Sequence, residues 1–580
     1  MQISNNSYME SFQSWLDSPA ISETEWKELS AIEGDEKEIE SRFYAPLEFG
    51  TAGLRGVMGM GLHRMNIHII RHATQAFATV IKAEGKESCE KGIVICFDCR
   101  EQSDVFAREA ACIMAANGIK VRLFEGLRPT PELSFAIRHY GAIAGINVTA
   151  SHNPREYNGY KVYWSDGAQL PPQRAEAIAL EMENTDVFTS IENMSFDEAK
   201  AKGMITMLGA ETDEAFLQKV MSQSIMPEVV ARVADRLKIV YTPFHGTGYI
   251  LVPEALKRLG ITQLIPVEAQ MKIDGTFPTV HSPNPEDPAG FELAVKLADE
   301  TGSDLIIGTD PDADRVAAMA RDKNGALTVI TGNQMGVLLL DYIIKARKEK
   351  GTLPENAAAV KSIVTTELAK EIAVKNGVHF EDTFTGFKFM AEKVAEYEKD
   401  GSHEYIFAYE ESIGYMMGDY VRDKDAVTAS MMIAEMAAYY LDKDMTLIDA
   451  LEAIYEEYSY HEEKTLNLVM PGVDGLERMA ALMNRLREDF PDVIGGTQVA
   501  RVRDYQSGWI TVAGLGAVEQ TTIVGSNVLY CELADGTSFI VRPSGTEPKI
   551  KIYILAKGSS REECLERIGR YEEFANSLKD

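Results

Sequence analysis

Residues 92–148 read GIVICFDCREQSDVFAREAACIMAANGIKVRLFEGLRPTPELSFAIRHYGAIAGINV. The apolar, β-branched run Gly92 to Phe97 gives way to a segment of helical period from Asp104 to Asn117, and Lys120 to Phe124 returns to strand character. A second helical segment, Pro131 to Tyr140, leads into the strand Ile143 to Val148. That succession is βαβαβ, and it predicts an α/β fold on mixed, mainly parallel sheets.

Outward from this stretch the pattern repeats. It restarts at Leu237 to Tyr241, with a helix from Tyr249 to Leu259 and a further strand at Leu305 to Ile307, and again from Ala359-Val360 through a helix at Glu367 to Lys375 to the strand Tyr405 to Ala408. From Gly525 to Ala556 the period changes to two, over Val528 to Leu533, Ser538 to Val541 and Ile550 to Leu555, and a helix closes the chain from Arg561 to Leu578. Antiparallel strands with a terminal helix describe a different, α+β, domain. Four domains are therefore expected: residues 1–210, 211–335 and 336–465 as α/β domains and 466–580 as the α+β one.

The bulk numbers exclude several classes. The 580 residues carry 58 basic and 89 acidic side chains, a net charge of −31, with no Lys/Arg block. Nucleic acid needs a concentrated basic face and is not an expected partner. The longest apolar runs, such as Met335 to Ile344, fall short of a membrane span, so no membrane association is expected. The N-terminus lacks the basic and apolar blocks of a signal peptide, and six cysteines make no disulfide framework, both pointing to the cytoplasm.

Four loops at strand ends could carry chemistry. Asp310-Pro311-Asp312-Ala313-Asp314-Arg315 follows the apolar run Leu305 to Ile307, and three carboxylates at i, i+2 and i+4 repel one another unless a hard divalent cation such as Mg²⁺ joins them. An EF-hand is excluded, because its sixth position would be Arg315 and its twelfth Arg321. Ser151, in Thr149-Ala150-Ser151-His152-Asn153-Pro154, follows the strand ending at Val148; its hydroxyl could attack phosphorus, carry a phosphate or cap a turn. His152 is not expected to serve as a triad base, since neighbouring side chains in a loop rarely meet in that geometry. Arg542-Pro543-Ser544-Gly545-Thr546-Glu547-Pro548-Lys549 reads as a phosphate cradle of guanidinium, hydroxyls and freed backbone N–H groups, or as a plain hairpin turn. Glu410-Glu411-Ser412-Ile413-Gly414, with Arg422-Asp423-Lys424-Asp425 shortly after, suits sugar hydroxyls, or equally a capped helix start. Two other patterns are set aside: Cys96-Phe97-Asp98-Cys99 has no second pair for zinc or redox use, and His68 and His72 lack the Glu of HExxH.

Taken in order, Thr51-Ala52-Gly53-Leu54-Arg55-Gly56, the Ser151 loop, Asp310 to Arg315, Thr385-Gly386-Phe387-Lys388, Glu410-Glu411-Ser412, Arg422 to Asp425 and Arg542 to Thr546 span almost the whole chain. In these motifs the sequence resembles the α-D-phosphohexomutases, the phosphoglucomutase and phosphomannomutase superfamily, and within it the long bacterial and animal phosphoglucomutase/phosphopentomutase branch. The resemblance implies a heart-shaped, four-domain enzyme, a monomer or homodimer, acting on a small phosphosugar. It implies phosphate carried on Ser151 and Mg²⁺ held by that phosphate with Asp310, Asp312 and Asp314. Arg55, His152, Lys161 and Lys424 are then the catalytic candidates near the phosphate. Thr385, Lys388, Glu410, Ser412 and Arg315 would meet the sugar, and Arg542, Ser544, Gly545 and Thr546 the phosphate that is not reacting. The reaction implied is two phosphoryl transfers through glucose 1,6-bisphosphate, which also acts as activator. The phosphomannomutase-type enzymes tend to have Gly-Glu-Met-Ser-Gly-His in the sugar loop; here Gly414 stands where their His lies, which favours glucose over mannose and leaves pentose phosphates open. Two rival expectations are a phosphatase with an aspartate nucleophile, which would have Thr or Val rather than Asp314, and a non-catalytic phosphosugar sensor on the same fold.

Overall fold

In the computed structural model, which describes residues 7–470, 474–544 and 549–579, the opening βαβαβ becomes a six-stranded sheet. Its strands are β1 (Leu54–Val57), β2 (Ile93–Phe97), β3 (Val121–Phe124), β4 (Ala144–Val148), β5 (Tyr157–Trp164) and β6 (Ile205–Leu208), in the order β1-β5-β4-β2-β3-β6. β4, β2, β3 and β6 run parallel; β5 and β1 add antiparallel at one edge. β2 and β4 are buried almost throughout, with helices such as Ser103–Ala116 and Thr130–His139 packed on them, so neither strand shows polar alternation. Register then does positional work. It sets Lys161 opposite Asn147 and Arg55 opposite Gly159, which brings both cations to the end of β4 where Ser151 follows. The turn into β1 needs Gly53: its φ is +82° and a Cβ there would lie 1.8 Å from Tyr160 O.

Three N-terminal helices precede this sheet: α1 (Ser7–Leu16), α2 (Glu23–Ser30) and α3 (Glu36–Phe43). Ser22 and Glu25 form a capping box at α2, and Asp35 caps α3. Their apolar faces enter the first core: Trp15 meets Phe43, His68 and Phe188 edge-on, at 5.7, 5.9 and 5.1 Å between ring centres. His68 and His72, on the helix Ile67–Ala83, are both buried, with His68 3.2 Å from Glu25 and His72 bonded to Thr185.

The second sheet has the order β11-β10-β9-β7-β8, with β7 (Lys238–Thr242), β8 (Gln263–Pro266), β9 (Leu305–Thr309), β10 (Val316–Arg321) and β11 (Leu327–Ile330). β8, β7 and β9 are parallel, whereas β10 returns antiparallel to β9 with Val316 opposite Thr309. The Asp310–Arg315 run is thus the turn of a hairpin. Against the helix Gly248–Leu259 lies Ala426–Leu441, whose N-cap Asp425 accepts from Val427 N and Thr428 N.

Everything up to Thr331, with Ala391–Lys399 and Ser412–Thr446, makes one compact unit, and the remainder makes a second. The second unit holds the parallel strands β12 (Ala357–Ser362), β13 (His379–Thr383) and β14 (Glu404–Glu410) in the order β13-β12-β14. It also holds a C-terminal antiparallel sheet in which Tyr460–Val469 pairs along its length with Lys549–Gly558, and Leu529–Leu533 and Ser538–Pro543 follow, under the helix Arg561–Ser577. The period-two segments therefore form strands as expected. No helix among the described residues is long and apolar enough to cross a membrane.

One joint in the second unit has a measurable pH dependence. Glu371, on the helix Leu368–Lys375, accepts from Ser459 Oγ at 3.1 Å and from Lys557, and lies 3.7 Å from His461 Nε2. Burial pushes its carboxyl up, but His461 and Lys557 outweigh that and hold it down to about 2. Because the folded value lies below the ordinary ~4.3 of a free glutamate, the stabilisation is complete above that value and disappears as pH falls toward 2. Thermal midpoints of the parent and of Glu371→Gln should therefore converge between about pH 5 and pH 2.5. Parallel curves would show that the joint adds nothing at any pH.

Candidate active site

Ser151 sits where β4 leaves the sheet. Thr149 Oγ1 accepts the Ser151 N–H at 2.9 Å, Asn153 N closes a turn onto Ala150 O at 3.1 Å, and Ser151 itself takes a left-handed backbone with φ +54°. Its Oγ donates to Asp310 Oδ2 at 3.3 Å and lies 3.2 Å from His152 Nδ1. That second contact corrects the expectation that adjacent side chains would not meet. In extended backbone successive side chains alternate sides, whereas the left-handed turn at Ser151 brings hydroxyl and imidazole together.

The three aspartates converge. One oxygen of each lies within 4.8 Å of the others, and all three residues are buried. Asp310 Oδ1 accepts from Asp314 N and Arg315 N at 3.1 and 3.0 Å, and Ala313 turns the loop with φ +50°. Asp312 Oδ2 accepts from Thr130 Oγ1 at 2.7 Å and from Lys161 Nζ at 2.6 Å. Lys161 Nζ also lies 3.5 Å from Asp314 Oδ2, and Lys424 Nζ 3.3 Å from the same atom. Asp312 Oδ1 and Asp314 Oδ1 are buried with no hydrogen-bond partner. Two orphaned carboxylate oxygens in a cluster of three are a donor set of the kind hard divalent cations take, so the residues fit a metal ion.

The electrostatics follow from the layout. Burial, then Asp312 and Asp314, push the Asp310 carboxyl well above the carboxylate range. Asp314 goes the other way: burial would raise it, but Lys424, Lys161 and Arg315 hold it down. Burial also opposes the Lys161 charge, yet Asp312 and Asp314 outweigh it and keep the ammonium. His152 falls well below the imidazole range, through burial first and the Arg315 charge second, with Arg55 and Lys161 adding to both. Burial and the neighbouring cations therefore disfavour the charged imidazole beside the serine hydroxyl.

Other expected residues are placed as follows. Arg55 Nη1 donates to Asn153 Oδ1 at 3.1 Å, in the Ser151 loop. Ser412 O accepts from Arg315 Nη1 at 3.2 Å, and Val316 N donates to Ile413 O at 3.1 Å, so the start of that segment lies beside the aspartate hairpin. Lys424 is steered by Asp423, whose Oδ1 accepts from Lys424 N and Nζ at 2.9 and 3.2 Å while Oδ2 accepts from Tyr163 OH at 3.0 Å. Arg55, Ser151, His152, Lys161, Asp310, Asp312, Asp314, Arg315, Ser412 and Lys424 all belong to the first unit.

Thr385, Lys388, Glu410, Arg542 and Ser544 belong to the second, and Gly545 and Thr546 lie outside the described residues. There Thr385 Oγ1 is buried without a partner, the Lys388 ammonium stands 4.9 Å over the Phe389 ring, and Glu410 ends β14 buried. Arg542 Nη1 donates to Tyr553 OH at 3.4 Å. Burial, with Glu411 and Glu410 adding, pushes that phenol up to about 12 against the pull of Arg542, so Glu410, Glu411 and Arg542 all act on one phenol.

Three residues near Ser151 escaped the sequence reading. Thr130 braces Asp312, while Asp98 and Arg100 stand behind the serine loop. Asp98 and Arg100 follow β2 at the edge where Ser151 follows β4, and that shared address was the available signal; the Cys96-x-x-Cys99 spacing in the same residues drew attention to the sulfurs instead.

Three domain models of the phosphoglucomutase/phosphomannomutase family match the chain: alpha/beta/alpha domain I over residues 46–187, domain II over 214–325 and domain III over 331–458. The phosphoglucomutase of Staphylococcus haemolyticus strain JCSC1435 is 35% identical over 537 residues, covering 92% of this chain and 94% of that protein. That of Staphylococcus aureus strain MRSA252 is 36% identical over 542 residues, with the same coverage of 92% and 94%. Among solved structures, the Paramecium phosphoglucomutase pp63/parafusin in its open form superposes with a TM-score of 0.67 at 18% identity, covering 93% of this chain and 95% of that one. A phosphoglucomutase/phosphomannomutase family protein of Burkholderia thailandensis gives 0.65 at 19%, covering 92% and 97%. At those identities the structures speak for the fold alone.

Proposed function

Because the chain belongs to the phosphoglucomutase/phosphomannomutase family, we propose that it interconverts α-D-glucose 1-phosphate and glucose 6-phosphate through a phosphorylated Ser151 and a glucose 1,6-bisphosphate intermediate. It is an enzyme of the intramolecular phosphotransferase type. The observation that carries the reading is the Ser151 hydroxyl, 3.3 Å from Asp310 Oδ2 at the edge of a buried three-carboxylate cluster, with Arg55, Lys161 and Lys424 gathered around the same loops. A lone serine turn would need none of these.

In the first transfer the free hydroxyl of glucose 1-phosphate attacks the phosphorus on Ser151. The new O–P bond forms as the Oγ–P bond breaks, the sugar hydroxyl releases its proton and Oγ takes one up. The bisphosphate turns end for end. Ser151 Oγ then attacks its other phosphorus: the Oγ–P bond forms as the bond between that phosphorus and the sugar oxygen breaks, His152, 3.2 Å away, accepts the Oγ proton at Nδ1, and the leaving sugar oxygen takes up a proton to give glucose 6-phosphate. Arg55 and Lys161 stabilise the charge that develops on the phosphoryl oxygens. Mg²⁺ held by Asp310, Asp312 and Asp314 with the Ser151 phosphate would supply charge neutralisation on the transferring group. We assign Arg315, Ser412, Thr385, Lys388 and Glu410 to the sugar, and Arg542, Ser544, Gly545 and Thr546 to phosphate. The proposal includes four domains, 1–210, 211–335, 336–465 and 466–580, in a cytoplasmic monomer or homodimer.

The test is a coupled assay on glucose 1-phosphate, mannose 1-phosphate and ribose 1-phosphate, each with catalytic glucose 1,6-bisphosphate and Mg²⁺. Glucose 1-phosphate is expected to give the highest kcat/KM. Equal rates on all three would remove the glucose assignment, and a preference for ribose 1-phosphate would make the protein a phosphopentomutase.

A further inference from the structure

Four backbone carbonyls that surround Ser151 accept hydrogen bonds from one buried guanidinium. Arg100 Nη2 donates to Ser151 O at 2.6 Å and Asn153 O at 2.5 Å, and Nη1 donates to Pro154 O at 2.9 Å and Tyr157 O at 3.0 Å. Arg100 is 3% exposed, and its Cζ stands 5.1 Å from the centre of the Phe277 ring. Its Nε faces Asp98 Oδ2 at 3.2 Å, within ion-pair distance though not aligned as a hydrogen bond. Asp98, equally buried, accepts from Thr149 Oγ1 at 2.6 Å, Ser103 Oγ at 2.8 Å and Arg100 N at 2.9 Å. Thr149 Oγ1 in turn accepts the Ser151 N–H.

These contacts close a ring around a single residue. On one side the Ser151 N–H is tied through Thr149 to Asp98; on the other the Ser151 carbonyl is tied to Arg100; Asp98 and Arg100 are paired with each other. Both peptide groups that flank the Ser151 Cα are fixed. A non-glycine residue at φ +54° is held in such a conformation only where the surroundings over-determine it. Without the ring the backbone would relax toward extended geometry, and Oγ would swing away from Asp310 and His152.

We propose that Asp98 and Arg100 are positioning residues that lock Ser151 in its left-handed conformation, so that Oγ keeps its aim at the aspartate cluster through both phosphoryl transfers. The inference rests on Ser151 as phosphate carrier. It differs from simple structural support in where the loss should fall. Alignment of the nucleophile governs the chemical step, whereas sugar binding uses other side chains, so kcat should suffer and KM should not.

The experiment uses the full-length chain with Mg²⁺ and two variants. Arg100→Lys keeps the charge but cannot span four carbonyls. Thr149→Val keeps the side-chain shape and cuts the link between Ser151 N and Asp98. Measured are kcat and KM for glucose 1-phosphate, the single-turnover rate at which Ser151 takes label from radiolabelled glucose 1,6-bisphosphate, and the unfolding midpoint. Arg100→Lys is expected to lower kcat and the labelling rate by about 10²-fold, with KM within threefold of the parent. Thr149→Val should lower both rates about tenfold, and the double variant should lose less than the product of the two, because both break one ring. Folded variants with labelling rates within twofold of the parent would overturn the proposal, and so would a loss confined to KM. Should Arg100→Lys fail to fold, Thr149→Val decides alone. A parent protein that takes no label on Ser151 would overturn the mutase reading itself, whereas normal labelling of parent and variants alike would remove only the positioning role.

Discussion

Ser151→Ala is expected to slow conversion of glucose 1-phosphate by on the order of 10⁴- to 10⁶-fold, the loss typical of deleting a nucleophile that acts in concert with its neighbours. The side chain removed is one hydroxyl, 3.3 Å from Asp310 Oδ2 and 3.2 Å from His152 Nδ1. Alanine tolerates the backbone no worse than serine does, so the fold should persist with its unfolding midpoint nearly unchanged. Phosphate analysis of the intact chain after incubation with glucose 1,6-bisphosphate checks the same point: the parent should gain one phosphate and the variant none. Retention of ordinary turnover would rule out the phosphoserine route. If turnover were lost but the cellular role survived, the protein would be a phosphosugar sensor.

Asp310→Asn is expected to cut turnover by about 10³-fold while leaving the metal-free protein as stable as the parent or more so. The amide oxygen can still accept from Asp314 N and Arg315 N, which bond Asp310 Oδ1, and the amide nitrogen can face Ser151 Oγ. What disappears is the carboxyl that burial and its two aspartate neighbours make hardest to ionise, and that a bound cation would hold in its charged form. Like charges in a poorly hydrated cluster disfavour the folded state until a cation joins them. In the parent, Mg²⁺ at about 100 times its Kd should raise stability by ~2.7 kcal/mol relative to chelator. For Asp310→Asn that gain should shrink severalfold at the same Mg²⁺ concentration, which thermal unfolding with and without chelator would measure. An undiminished gain would place the metal elsewhere.

The parts of this site that could be read in the sequence are those announced by unusual residue density. Three aspartates in five positions, or a serine, histidine and proline straight after an apolar strand, violate the ordinary preferences of a loop, and the violation is visible locally. The α/β cycles were legible for the same reason: β2 and β4 are apolar on both faces because both are covered. What stayed hidden depends on contacts across long stretches of chain. Thr130 meets Asp312 182 residues later, and nothing in Arg-Pro-Thr-Pro announces it. Arg100 looks like an ordinary surface arginine until the fold brings the carbonyls of Ser151 and Tyr157 to it. The meeting of Ser151 and His152 hinged on a single backbone angle, which residue order alone does not reveal. The N-terminal helices escaped because α2 and α3 are short and strongly charged, with only Leu29, Ile39 and Phe43 facing inward.

Those helices set a timetable for the nascent chain. Trp15 can meet Phe43 and His68 soon after it is made, yet it finds Phe188 only after about 170 more residues have been added, and the first sheet is incomplete until β6 arrives at Ile205–Leu208. At ~5–20 residues per second that is a wait of roughly 10 to 35 s in which the first core stays open on the side that Phe188 will cover. Every partner these helices use in the first core is made before any residue of the aspartate hairpin.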